Sequence, residues 1–114
     1  MDYLLLIYED EKRFATQGEA DFKTELSEYM NFGKEHEKLI KGGNALQPTS
    51  TGKTVRVRGG KATTTDGPFA ETKEQLGGYY LVSASSVEEA LKAAAKIPGA
   101  RHGCVEVRPI MTFS

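Results

Sequence analysis

Asp66, Glu71, Lys73 and Glu74 crowd into one segment of the chain, TDGPFAETKEQLGGYY from Thr65 to Tyr80. A carboxylate beside an ammonium group is equipment for proton transfer: one of Asp66 and Glu71 removes a proton, and Lys73 stabilises the charge that develops. To act near neutral pH, Asp66 needs its reference value of about 3.9 raised by burial or by a neighbouring carboxylate, which Glu71 or Glu74 can provide. The same residues have a plainer reading. Asp before Gly commonly bonds the backbone amides of its own turn, and a charge cluster is commonly a solvated loop. Gly77-Gly78 marks either a β-bulge or a close approach of ligand to backbone. Of Tyr79 and Tyr80, alternation sends one to the core and the other to the charged face, and Tyr80 is the site candidate. Arg56 and Arg58 share a strand face, where they suit a ligand carboxylate or phosphate or simply solvate the strand.

Other constellations are weaker. His102 and Cys104 stand two apart, but structural zinc takes four ligands, the remaining histidine is His36, and there is no second cysteine, so no metal site or cofactor is expected. Cys104 reads as a small buried residue without an activating neighbour. Thr51-Gly52-Lys53-Thr54 imitates the tail of a phosphate-binding loop, yet Gln47 stands where glycine is needed and Val55 to Arg58 reads as a strand rather than a helix. Nucleophile elbows, dinucleotide fingerprints and His-Glu-x-x-His helices are absent from the sequence.

The elements that must position these residues follow from periodicity. The apolar run Tyr3 to Tyr8 predicts a strand buried on both faces. Phe22, Leu26, Tyr29, Met30, Gly33 and Ile40 recur at helical spacing, predicting a helix from Glu19 to Lys41 that Gly42-Gly43 ends. A loop follows from Asn44 to Lys53, with room for a short strand at Ala45 to Gln47. Thr54 to Arg58 and Lys61 to Thr65 flank Gly59-Gly60 as a hairpin. Tyr79 to Ser83 is the next strand, and Ser85-Ser86 with Glu88-Glu89 opens a second helix whose stripe is Val87, Ala90, Leu91, Ala94 and Ala95. Cys104 to Ile110 closes the chain. The order β-α-β-β-β-α-β predicts an α+β ferredoxin-like sandwich, an antiparallel sheet with both helices on one face. The other face is then solvated or covered by a second subunit, and a homodimer enclosing a polar cavity is expected.

Composition bounds the function. One domain over residues 1–114 is expected, with 15 basic against 16 acidic residues and a formal charge of -1. That balance gives no electrostatic reason for nucleic acid or an acidic membrane as partner. A single cysteine and an N-terminus without a basic, apolar leader point to a soluble cytoplasmic protein.

With Asp66-Gly67-Pro68-Phe69, the continuation Glu71 to Tyr80 and the closing Val105-Glu106-Val107-Arg108-Pro109 in view, the chain resembles the YCII-related, DGPF-domain family. The resemblance implies a dimeric α/β barrel of ferredoxin-like subunits. It carries over Asp66, Gly67, Pro68, Phe69, Glu71, Lys73, Glu74, Gly77, Gly78 and Tyr80, and so adds Phe69 and Glu74 to the ligand-binding candidates. Relatives in the wider group carry a His-Asp pair proposed as catalytic, a pattern from which this chain departs, its His36 lying late on the first helix between Glu35 and Glu37. The resemblance also implies a link to extracytoplasmic-function sigma factors. Two functions are therefore expected: a small-molecule enzyme using a carboxylate for proton transfer, or a non-catalytic regulatory module binding a ligand.

Overall fold

A computed structural model describes residues 1–113. Its elements are β1 (Asp2–Glu9), α1 (Lys12–Thr16), α2 (Glu19–Glu35), β2 (Ile40–Ala45), β3 (Lys53–Arg58), β4 (Lys61–Asp66), β5 (Gln75–Ser83), α3 (Val87–Ala95) and β6 (Cys104–Pro109). Four strands form one antiparallel sheet in the order β2-β5-β1-β6, with β1 central. This is the expected ferredoxin-like α+β architecture.

β1 alternates strictly. Tyr3, Leu5, Ile7 and Glu9 are buried, whereas Asp2, Leu4, Leu6 and Tyr8 between them are only partly covered. The unbroken apolar run suits burial on both faces, but within one chain only one face is filled. On that face Leu5, Val82 and Ile97 are fully enclosed, each contributing roughly 1.5–3 kcal/mol by burial. Phe32, Ala84, Ala90 and Ala94 complete the core.

The helices differ from the expected stripes. α2 turns Glu25, Tyr29 and Phe32 inward at i, i+4 and i+7, leaving Phe22, Leu26 and Met30 exposed. Polar Glu25 and Tyr29 can lie underneath because each has a partner there: Arg13 donates to Glu25, and the Gly99 amide donates to the Tyr29 hydroxyl. α3 sits close to the sheet on Ala90, Ala93 and Ala94, with Val87 and Leu91 exposed. Its start is capped as expected, the Ser86 hydroxyl accepting from the Glu89 amide at 3.2 Å while the Glu89 carboxylate accepts from the Ser85 amide.

α2 stops at Glu35, short of the predicted Lys41, and Gly42-Gly43 lie inside strand β2 instead of ending a helix. Leu39 and Ile40 are needed at the core edge, and the Leu39 carbonyl already accepts from Ser83. Glycine at 43 answers a close approach: a Cβ there would sit 2.7 Å from the Tyr79 carbonyl oxygen and 2.8 Å from the Tyr80 ring.

β5 also begins earlier than expected, at Gln75. It carries a bulge: Ile7 pairs with Gly78 and Tyr8 with Leu76, so Gly77 is the extra residue. The β3-β4 hairpin forms as predicted, with positive φ at Gly59 and Gly60, but it pairs with no strand of the main sheet. The chain is consequently a slab of 48 × 47 × 19 Å.

Candidate functional site

The turn after β4 lies against the sheet face that the helices leave open. Gly67 takes φ +89°, donates its amide to the Gly52 carbonyl at 2.7 Å, and accepts from the Thr54 hydroxyl at 2.7 Å. Opposite it, the Glu11 carboxylate accepts from both the amide (2.8 Å) and the hydroxyl (3.0 Å) of Thr49, pinning the Pro48 to Thr51 turn. Between these two walls is a cavity of about 590 Å³. Leu46, Gln47, Pro48 and Thr49 line one side, Gly67, Pro68, Phe69 and Ala70 the other, and Tyr8, Glu74, Gln75 and Leu76 also border it.

Tyr8, Lys53, Glu74 and Gln75 are among the polar side chains at its border, and Cys104 and Glu106 stand next to two of them. The Gln75 amide nitrogen donates to the Thr72 carbonyl at 2.9 Å, while its oxygen is enclosed with no donor among the described residues. The Cys104 thiol faces a Glu74 carboxylate oxygen at 3.9 Å, and the Tyr8 hydroxyl donates to Glu106 at 3.4 Å. Cys104 is exposed rather than buried as expected, yet partial desolvation, then the Glu74 and Glu106 carboxylates, push its thiol above its ordinary value. Burial and Glu106 likewise raise Tyr8. A carboxylate, a thiol and a phenol near one cavity can hold and relay protons, and the surrounding apolar walls suit a flat organic ligand.

The predicted residues are distributed unevenly. Glu74 and Phe69 border the cavity, with Phe69 79% exposed at its mouth. Asp66 is outside, held by Lys53 at 2.6 Å on the rim. Glu71 and Lys73 are exposed and do not border the cavity. Arg56 and Arg58 sit on the hairpin, Arg58 donating to the neighbouring Val57 carbonyl. Tyr80 is on the helix side, its ring 5.1 Å from Phe32, because it shares a face with buried Val82. Tyr79 takes the open face, where its hydroxyl accepts from Asn44 at 2.9 Å. His36 stacks on Phe32 with its Nδ1 at 3.0 Å from the Phe32 carbonyl. His102 and Cys104 do not converge: His102 borders a separate hollow with Arg13 and Glu25.

Two sets of residues were invisible to spacing. Leu46 to Thr49 read as loop with room for a short strand at Ala45 to Gln47, whereas the strand there is β2 and ends at Ala45; only the Gln-Pro-Thr-Ser-Thr turn chemistry hints at an ordered wall. The other set is a buried polar cluster on the helix side, where Arg13 donates to Glu9 at 3.3 Å and to Glu25 at 2.9 Å, and Gln17 donates to Glu25 at 3.0 Å. Burial, helped by the nearby Glu25 charge, raises Glu9 despite Arg13. Burial opposes ionisation of Glu25 too, but the hydrogen bonds from Arg13 and Gln17 outweigh it and hold that carboxyl below its ordinary value.

The fold and cavity define a ferredoxin-like α+β protein with room for a small molecule beside its sheet. The chain belongs to the YCII-related domain family, which it matches over residues 1–114. It is 33% identical to an uncharacterised protein of Rhizobium meliloti (strain 1021), over 99% of this chain and 94% of that one. In fold it is similar to 5-chloro-2-hydroxyhydroquinone dehydrochlorinase from Burkholderia phenoliruptrix AC1100, solved in complex with 2,5-dihydroxybenzoquinone, with a TM-score of 0.56, 11% identity and coverage of 97% and 94% of the two chains. Among the described residues, no helix is long and apolar enough to cross a membrane.

Proposed function

We propose that this protein is a homodimer that binds a small, planar, oxygen-bearing organic molecule in the Phe69-Glu74 cavity and moves a proton on it with the Glu74 carboxylate. The observation that carries this reading is the cavity itself: about 590 Å³, apolar for most of its surface, with one carboxylate and one unsatisfied amide oxygen at its border. That size lies within the roughly 300–1,000 Å³ of small-molecule sites. Gln75 Oε1 would accept from a ligand hydroxyl, Phe69 would cover an aromatic or conjugated face, and Glu74 would take the proton. Asp66 and Lys53 form an ion pair at the rim, and Glu71 and Lys73 are exposed on the same loop, where they would steer an ionised ligand.

The structural neighbour, an enzyme holding a dihydroxybenzoquinone, supports the ligand class only through the shared fold. 2,5-Dihydroxybenzoquinone is therefore a suitable probe. Titrated against the wild-type chain, it should raise the melting temperature saturably, since selective binding to the native state stabilises it. Glu74→Gln and Phe69→Ala should each weaken that effect at least tenfold. Absence of any shift with this probe and with a panel of hydroxylated aromatic acids would remove the reading. The alternative, a non-turning-over regulatory module linked to a sigma factor, is separated by NMR of the bound probe: binding without conversion or proton exchange favours it.

A further inference from the structure

The short helix α1 is held to the molecule by polar bonds rather than by packing. Its five residues all stay at least partly exposed, and Phe14, its one large apolar side chain, lies 4.6 Å from the Arg13 guanidinium instead of entering the core. A segment without buried apolar anchors opens more readily than the elements around it. The bonds that fix α1 reach to opposite faces of the sheet. Before its first turn, the Glu11 carboxylate accepts from the amide and hydroxyl of Thr49 in the cavity wall. On the helix side, Arg13 donates to Glu25 at 2.9 Å and Gln17 donates to the same carboxylate at 3.0 Å. The end of β1 divides in the same way: Tyr8 borders the cavity, while Glu9 points to the other face and meets Arg13.

We propose that α1 is a strap that, docked on Glu25, holds the Thr49 wall of the cavity in place from across the sheet, and that its release lets this wall open. Glu11 and Arg13 stand two residues apart and move as one piece, because the Phe14 amide donates to the Glu11 carbonyl and the Arg13 amide to the Asp10 carbonyl. Bonds inside the wall shape it without tying it to the sheet: the Thr51 amide and hydroxyl donate to the Pro48 carbonyl, and the Gly52 amide to the Thr49 carbonyl. Glu11 supplies the tie. The docked state is also poised. Arg13 Nε and Gln17 Oε1 are enclosed with no partner among the described residues, a cost that release into water removes. Charge-assisted bonds to Glu25 therefore work against two orphaned atoms, the balance that gives an element two states. A molecule that packs on the held wall favours the docked strap, and one entering or leaving the cavity passes while the strap is off. The strap does not depend on which molecule the cavity takes.

The test is amide hydrogen exchange, read by NMR on the full chain without ligand, for wild type, Glu25→Gln and the control Arg101→Ala. The Thr49 amide reports the tie directly, since its acceptor is Glu11, and the Phe14 and Gln17 amides report α1. In wild type these three should share one opening, with protection equal within about threefold. Glu25→Gln keeps the side-chain shape but replaces charge-assisted bonds by neutral ones about half as strong. It should speed all three amides at least fivefold beyond any change at the ladder amides of β1. Arg101→Ala removes the neighbouring 2.7 Å pair with Glu28 but no bond of the strap, and should leave the three amides unchanged. Acceleration at Phe14 and Gln17 without Thr49, or at none of them, overturns the proposal; equal acceleration in the control does so too, by showing general loosening. Where Glu25→Gln fails to fold, Gln17→Ala replaces it with the same three amides, and wild-type protections that differ by more than about tenfold overturn the strap on their own.

Discussion

Arg13 reaches from the first short helix to Glu25 on α2, its Nη2 2.9 Å from the carboxylate oxygen, and the same nitrogen lies 3.3 Å from Glu9 at the end of β1. One guanidinium thus ties three elements together and neutralises two buried carboxylates. Arg13→Met should lose about 3 kcal/mol of stability, because it leaves Glu9 and Glu25 buried without a counter-charge. Urea denaturation measures the loss; a change under about 1 kcal/mol would show that water replaces the guanidinium.

The two carboxylates should respond to pH in opposite senses. Glu25 is held below its ordinary value, so its contribution is present above the unfolded value and is lost as pH falls through the lower folded value. Glu9 is raised, so it favours the fold when protonated, and that contribution fades as pH rises through its raised folded value. The stability gap between wild type and Glu25→Gln should be wide at pH 7 and close toward pH 3. For Glu9→Gln the gap should be larger in acid than at pH 7. Chemical denaturation at several pH values checks both slopes.

Glu74 is one of the groups that hold the Cys104 thiol protonated. Glu74→Gln should lower the thiol pKa toward its ordinary value and speed alkylation by iodoacetamide severalfold at pH 8, since the thiolate is the reactive form. An unchanged rate would mean that burial alone sets the thiol.

Ser86 accepts from the Glu89 amide at the start of α3. Ser86→Ala should cost about 1 kcal/mol, measurable as a fall in the melting temperature, and Ser86→Asp should restore most of it.

Gly43 faces the backbone of β5 at a distance no side chain tolerates. Gly43→Ala should separate β2 from β5 and cost on the order of 2 kcal/mol, the scale of an overpacked site. Faster hydrogen exchange at Tyr79 and Tyr80 would localise the damage.

Much of the fold was legible because its signals are local. The Tyr3 to Tyr8 run, the Gly59-Gly60 turn and the Ser86 cap each specify their element without help from distant residues. The end of α2 was not, because helical spacing continues through Ile40 while the decision to leave the helix is made by the place waiting for Leu39 and Ile40 at the edge of the core. The site divides the same way. Phe69 and Glu74 stand within a recognisable turn, but Glu11, Thr49 and Tyr8 reach the cavity's vicinity only through pairings across the fold. Tyr80 was misplaced for a smaller reason: which member of a tyrosine pair turns inward depends on the strand's phase, and Val82 sets it.

That phase has a last consequence. Gly77 is a surplus residue opposite β1, and it resets the odd-even rhythm of β5 partway along its length. After it the even-numbered residues Gly78, Tyr80 and Val82 face the helices, whereas Leu76, even-numbered but just before it, pairs with Tyr8 and turns toward the cavity. A single extra residue therefore lets one strand serve as core at one end and as cavity wall at the other.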